Sequence, residues 1–229
     1  ILDPHELPLG LMVKRFVVEF MAEDVPACGY RVYSIEKSAA PSGNGSLASD
    51  LYWDESIANE FVRVSVRGGG LAIERIGDPE EPTSELYGNA NVFEDVGDVG
   101  DEYMHVKPTS NVVVTSLGTS PKVSLVDSSP VSATLTLETS LTVPAEADHS
   151  ASARSEEMVE IPITSYVTVT RGIPRVDIRT VVENRAKDHR LRVLFPTGLA
   201  ADASHAEGQF DVLERPVEMP KDWVNASPF

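Results

Sequence analysis

The densest set of reactive side chains in the sequence lies in residues 183–216. This stretch contains two of the five histidines, His189 and His205, together with four arginines and several carboxylates. Apolar runs typical of β-strands lie between these groups, at 191–195 and 210–213. We therefore expect the polar side chains to gather at strand ends and in loops, where binding and catalytic residues are commonly placed.

A second polar segment, residues 94–103, has five carboxylates and two glycines in ten positions. Glycine lets the backbone turn tightly, so several of these carboxylates could converge on a cation or on sugar hydroxyls. The spacing is not that of an EF-hand, because the Asp-x-Asp-x-Asp-Gly pattern and its terminal Glu are missing. A solvated acidic turn is the simpler interpretation of the same residues.

The two histidines of the 183–216 segment also allow two interpretations. They could bind a metal or transfer protons, with Asp188, Asp202 and Glu207 as partners, or they could be hydrogen-bonded loop residues. Zinc ligands usually recur at tighter spacings such as His-x-x-x-His, which is absent here. The sequence also lacks Gly-x-Ser-x-Gly, a phosphate-binding glycine loop and a dinucleotide fingerprint.

The elements that must position these groups have the period of β-strands. In residues 131–143 apolar and polar side chains alternate, which indicates a strand with one buried and one solvated face. Residues 161–169 repeat the pattern, and the turn at 171–174 leads into a second alternating run at 176–182, which predicts a long antiparallel hairpin. No stretch longer than about ten residues has a helical period. The fold is predicted to be all-β, a large antiparallel β-sandwich.

The domain boundary is predicted near residue 50. Residues 12–20 and 30–35 are rich in β-branched and aromatic side chains and predict a small leading strand pair. Residues 37–50 are rich in Ser, Gly, Ala and Pro and predict a linker. We thus expect a small β segment and linker over 1–50 and the β-sandwich over 51–229, with a mobile loop at 145–157 inside the sandwich.

Composition excludes several classes of function. The chain has 229 residues and a net charge of −17, which disfavours nucleic acid and anionic membrane surfaces as partners. No apolar run of about 18 residues could span a membrane, and the N-terminus shows no basic region followed by an apolar stretch. The single cysteine, Cys28, is expected to be a buried or half-buried thiol and suits a reducing compartment. We expect a cytoplasmic protein.

The run Asp188-His-Arg-Leu-Arg-Val-Leu-Phe-Pro-Thr-Gly198, continued by residues 204–216, resembles the C-terminal β region of glycoside hydrolase family 38 α-mannosidases. It is most similar to the bacterial branch that includes mannosylglycerate hydrolases. Residues 93–103 are similar to that branch's Asp-x-Gly-Asp-x-Tyr loop, and residues 57–64 to the family's Asn-Glu-x-x-x-Val entry strand. The resemblance implies a galactose-mutarotase-like supersandwich.

The resemblance also implies a retaining α-mannosidase that uses zinc and a carboxylate nucleophile. The family carries these groups in an N-terminal α/β domain with His-x-Asp and His-His-Asp motifs, and neither motif occurs in this chain. The zinc ligands are therefore expected outside this chain, and this chain alone is expected to be inactive. The implied partners are an α-mannoside and the N-terminal catalytic domain of the same polypeptide, with a homo-oligomer left open.

By the same resemblance, the acidic segment forms the wall of a leaving-group subsite. Carboxylates would accept hydrogen bonds from sugar hydroxyls and a tyrosine would offer a flat apolar face, although an arginine–carboxylate network that only holds loops together would use similar residues. The candidate substrate-binding residues are Asp98, Asp101, Tyr103, His189, Arg190 and His205. Two other readings stay open: a non-catalytic carbohydrate-binding module, which low aromatic content disfavours, and a purely structural interdomain wedge.

Overall fold

The structure, a computed structural model, describes residues 18–36, 52–53, 55–77 and 84–218, and it is all-β, with antiparallel sheets and no helix in these residues. The chain divides into two compact units, residues 1–45 and 46–229. The described strands, in chain order, are β1 (Tyr52–Trp53), β2 (Ser56–Ala58), β3 (Val62–Arg67), β4 (Gly70–Arg75), β5 (Ser84–Ala90), β6 (Val92–Gly97), β7 (Val114–Thr115), β8 (Lys122–Ser128), β9 (Ser132–Pro144), β10 (Ala147–Asp148), β11 (Ala153–Arg154), β12 (Met158–Thr170), β13 (Val176–Val182), β14 (His189–Leu194), β15 (Ala203–Gly208) and β16 (Asp211–Pro216).

The first unit is described only over residues 18–36. These residues form no strand, so the predicted strand at 30–35 is not observed, and most of its predicted partner at 12–20 lies outside the described residues. The side chains of Tyr30, Val32 and Ile35 are largely exposed. The described contacts of this segment are local and include the Phe20 ring against the Tyr33 ring, with centroids 4.9 Å apart. Cys28 is exposed, contrary to expectation.

The second unit contains two main sheets that face each other. One has five strands in the order β1-β2-β3-β4-β5, and the other has four in the order β13-β12-β9-β8; all of the pairings are antiparallel. Buried side chains of both sheets meet in one core, to which Val64, Leu71, Leu135 and Val167 contribute with no exposed surface. The predicted sandwich is thus confirmed, because alternating strands bury their apolar faces against each other.

A second core lies at the other end of β9 and β12. Here Leu141, Ile161 and Ile163 pack with Phe93 of the three-stranded sheet β14-β6-β7. The two long strands have 13 residues each, and one half of each covers the first sheet while the other half covers this smaller one. The predicted hairpin at 161–182 is also confirmed, with β12 and β13 paired from Ile163 to Val169.

The chain passes from the five-stranded sheet to the three-stranded sheet at Asn91. This residue has a positive φ of 59° and separates β5 from β6, a conformation that asparagine tolerates better than most residues. Its Nδ2 donates to the Ser165 hydroxyl at 3.0 Å. Ser165 is itself buried in the middle of β12, where the two cores meet, so a polar contact fixes the corner at which the chain changes sheets.

The segment 145–157 is more ordered than the loop predicted there. It contains the short strand pair β10–β11, and it is anchored by the bridge between Ser110 and Ala153. The alternation of apolar and polar residues does not reveal this pair, because each strand is only two residues long. No helix in the described part of the chain is long and apolar enough to cross a bilayer.

Candidate functional site

The sheet β14-β6-β7 ends in a shallow cavity. The last pair of the ladder joins His189 to Gly97, and the Asp98 N–H then donates to the Asp188 carbonyl at 2.8 Å. The segment after β6 and the segment before β14 therefore lie side by side where they leave the sheet. The cavity between them has a volume of about 440 Å³ and is lined by Asp98, Gly100, Asp101, Glu102, Asp188 and His189.

The acidic segment does not form one loop of five carboxylates, as its composition suggested. Glu94 and Asp95 lie on β6, and only Asp98, Asp101 and Glu102 follow the strand. Glu94 forms an ion pair with Arg192 on the neighbouring strand. The segment forms a strand because Val92, Phe93 and Val96 are buried. The arginines that pair with its two carboxylates come from distant parts of the sequence.

The two loop aspartates hold the loop in shape. Asp98 Oδ1 accepts the N–H groups of Gly100 at 2.9 Å and Val106 at 3.0 Å. Asp101 Oδ1 accepts those of Tyr103 and Met104, both at 2.9 Å. These are the local aspartate turns expected of this residue type. Each bond uses Oδ1, and within the described residues Oδ2 remains available to a ligand in the cavity.

Gly100 is required by close packing of the same loop. A Cβ at this position would lie 1.8 Å from the Met104 carbonyl oxygen, so no larger residue fits without moving the backbone. Gly97 is constrained less severely, since its Cβ would lie 2.8 Å from side-chain atoms of Arg154 and of Pro108. The glycines therefore permit the tight turn that the sequence suggested, and one of them lets Arg154 pass over the strand end.

Behind the cavity lies a buried network that the sequence did not reveal. Asp95 is fully buried, and its Oδ1 lies 2.6 Å from Nη2 of Arg154, whose side chain is 1% exposed. Its Oδ2 contacts Nδ1 of His189, whose side chain is 7% exposed. Arg154 Nη1 donates to the Val112 carbonyl at 2.9 Å. Buried charges are rare unless they are paired, so this group has a defined structural task.

His189 uses both of its ring nitrogens inside the protein. Nδ1 contacts Asp95, and Nε2 lies 3.0 Å from Oδ1 of Asn184. That oxygen also accepts the Ala186 N–H at 3.1 Å, which fixes the orientation of the amide. Both ring nitrogens therefore face oxygen atoms of the protein. His189 therefore shapes the cavity wall, and its nitrogens are not free to bind a ligand.

The other candidate residues are not gathered around the cavity. Tyr103 is 88% exposed and lies two residues beyond Asp101, outside the lining. Arg190 follows His189 on β14 and is half-buried; its side chain points to the opposite face of the strand, because side chains alternate. His205 lies on the separate sheet β15–β16, opposite Glu214, whose Oε2 is 3.4 Å from its Nε2.

A carboxyl group with a shifted pKa, that of Asp148, lies near the site on β10. Hydrogen bonds from the Ser150 hydroxyl and then from the Ala151 N–H hold the pKa of Asp148 below its ordinary value. The neighbouring His149 approaches Asp188 of the cavity, with Nε2 and Oδ1 3.6 Å apart. The carboxylate therefore fixes the turn that presents His149.

The described residues offer no metal centre. No group of three or more His, Cys, Asp or Glu among them is arranged to hold an ion. The residues that could be compared with zinc ligands, His189 and His205, lie on different sheets. The described residues therefore do not fit a zinc site.

Comparison with known proteins identifies the family. Residues 57–227 match the model of the glycosyl hydrolases family 38 C-terminal domain, and the chain belongs to this family. It is 27% identical over 216 residues to a protein of Halalkalibacterium halodurans named "Putative mannosylglycerate hydrolase", covering 86% of this chain and 23% of that protein.

Two solved structures from Enterococcus faecalis are also similar. An α-mannosidase of strain V583 superposes with a TM-score of 0.67 and 28% identity, over 75% of this chain and 21% of that one. A second protein of glycosyl hydrolase family 38 gives a TM-score of 0.63 at 28% identity, over 71% of this chain and 21% of its own. The chain therefore spans between a fifth and a quarter of the length of these relatives.

Proposed function

We propose that this chain is the C-terminal domain of a retaining α-mannosidase, and that it packs on a catalytic domain outside the chain and lines its substrate pocket. The match to the family 38 C-terminal-domain model carries this proposal. The names of the Enterococcus and Halalkalibacterium relatives support an α-mannosyl group as the part of the substrate that is cleaved. Retention of the anomeric configuration requires two displacements at the anomeric carbon of the sugar, the first by a carboxylate of the enzyme.

The cavity at the end of β6 and β14 is proposed as the part of this domain that meets the sugar. Asp98 and Asp101 would accept hydrogen bonds from sugar hydroxyls through their Oδ2 atoms, while their Oδ1 atoms keep the loop rigid. The exposed ring of Tyr103 would provide a flat apolar face beside them. His189 would define the wall. Arg190 and His205 are proposed as structural residues, because each already has a protein contact.

Zinc belongs to the proposed catalytic domain. It would supply Lewis-acid assistance at the mannosyl group there, and its ligands would come from the rest of the polypeptide. The residues of this chain would contribute rim contacts only, so the chain by itself would not hydrolyse mannosides. A cytoplasmic location is proposed with this function, in keeping with an acidic chain that has a single, unpaired cysteine.

The test is hydrolysis of an aryl α-mannoside by the full-length protein and by this chain. We expect activity only in the full-length protein, loss of that activity with a chelator, its return with zinc, and an α-configured first product by NMR. Activity of this chain alone would contradict the domain assignment. An inactive full-length protein, combined with mannoside binding by this chain, would favour the carbohydrate-binding module instead.

A further inference from the structure

We propose that Asp95 is a positioning residue for the rim of the cavity, a role that rests on the function proposed above. Asp95 does not line the cavity. It lies behind the cavity, buried, and contacts Arg154 and His189, two side chains that come from different strands. Through them it would fix both the wall of the cavity and the loop that carries Asp98 and Asp101.

The carboxylate joins three strands that are far apart in sequence. Asp95 is on β6, Arg154 is on β11 and His189 is on β14, and all three side chains are at least nine-tenths buried. Each carboxylate oxygen has its own nitrogen partner, Oδ1 facing Nη2 of Arg154 and Oδ2 facing Nδ1 of His189. An asparagine of the same shape could accept a hydrogen bond from only one of these two partners, and its NH₂ group would face the donor of the other.

These two partners of Asp95 reach opposite ends of the same loop. His189 pairs with Gly97, the residue before the loop begins, and forms part of the cavity wall. Arg154 donates to the carbonyl of Val112, near the end of the loop, and its side chain packs over Gly97. Loss of the Asp95 charge would therefore release the loop at both ends while leaving the two apolar cores intact.

The first measurement is steady-state kinetics of the full-length protein with Asp95→Asn. Because rim contacts bind the ground state and the transition state alike, we expect KM to rise about tenfold with kcat within about threefold. Asp127→Asn, the same substitution at an exposed position on β8, should leave both unchanged. A fall in kcat with KM unchanged would contradict a rim role.

A double-mutant cycle tests whether Asp95 acts through His189. If it does, Asp95→Asn combined with His189→Gln should raise KM little more than the worse single variant, because both remove one interaction. Additive effects, with the fold-changes multiplying, would overturn the proposal.

Hydrogen exchange of the full-length protein tests the same role without activity. In Asp95→Asn, the amides of Gly100, Met104 and Val106 should exchange at least about tenfold faster, while core amides of β9 and β12 keep their rates. Unchanged loop rates, or equal acceleration in the core, would overturn the positioning role. If Asp95→Asn does not fold, Arg154→Lys replaces it, with the same expectation. An inactive wild-type protein would reject the proposed function. The hydrogen-exchange rates would still decide whether Asp95 positions the loop.

Discussion

Asn59 offers a sharp test of how the turn between β12 and β13 is held. Its side chain is buried and has four hydrogen bonds. Nδ2 donates to the carbonyls of Thr170 at 2.7 Å and Ile173 at 2.8 Å, and Oδ1 accepts the N–H groups of Phe61 and Val62, both at 2.9 Å. The residue therefore joins the start of β3 to a turn more than a hundred positions later. Asn59→Asp keeps the shape and the accepting oxygen but removes both donors.

The cost of this substitution can be estimated from those contacts. Two hydrogen bonds are lost, at about 1 kcal/mol each, and a carboxylate oxygen then faces two carbonyl oxygens in a buried place, which costs about 1 kcal/mol or more again. We expect a loss of about 3 kcal/mol in the free energy of unfolding. For a chain of this size that corresponds to a fall in Tm of about 6–12 °C.

Urea denaturation followed by far-ultraviolet circular dichroism measures this difference, with the m-value as a check on the unfolded state. Asn89→Asp is the matched control, since Asn89 is exposed on β5, and its variant should stay within about 0.5 kcal/mol of wild type. If Asn59→Asp were as stable as the control, the assignment of the amide donors to the two carbonyls would be refuted.

Three further predictions concern the cavity and its surroundings. Gly100→Ala should raise KM in the full-length enzyme, since its Cβ would displace the Met104 carbonyl; wild-type kinetics would contradict this packing. If the Tyr103 ring contacts sugar, Tyr103→Phe should be kinetically near wild type and Tyr103→Ala should raise KM about tenfold, whereas equal effects would exclude a ring contact. The pKa of Asp148 is lowered chiefly by Ser150, so its stabilising effect is present above the unfolded pKa and disappears as pH falls through the folded value. A ¹³C titration of the Asp148 carboxyl should therefore show a higher midpoint in Ser150→Ala. An unchanged midpoint would show that the Ser150 hydroxyl does not lower this pKa.

The cores were predictable because they follow from local periodicity. The alternation in residues 131–143 and 161–182 gave β9, β12 and β13, because every second side chain of a strand points to the same face. The alternation does not predict the burial of Ser165, a polar residue that points to the same face as the buried apolar residues of β12. Its burial depends on a hydrogen bond from Asn91, which lies at the corner between β5 and β6.

The candidate site was predictable only in part. The resemblance took candidate substrate-binding residues from both 94–103 and 183–216, and Asp98, Asp101 and His189 border one cavity. Asp95 gave no signal of its own among five neighbouring carboxylates, because its burial depends on Arg154, 59 positions further along. Strand β15 was missed for a related reason: its residues Ala203–Gly208 are mostly polar and exposed, so no apolar face marks it.

The long strands β9 and β12 have a consequence for how the domain comes apart. At 13 residues each, they extend about 43 Å, and each forms part of both apolar cores. Neither core can melt while the other stays folded unless these strands break in the middle, where Ser165 is held by Asn91. The strands that build the two cores should therefore unfold as one cooperative block, and a defect at Val169, in the core remote from the cavity, should loosen the cavity to the same extent as one at Ile161.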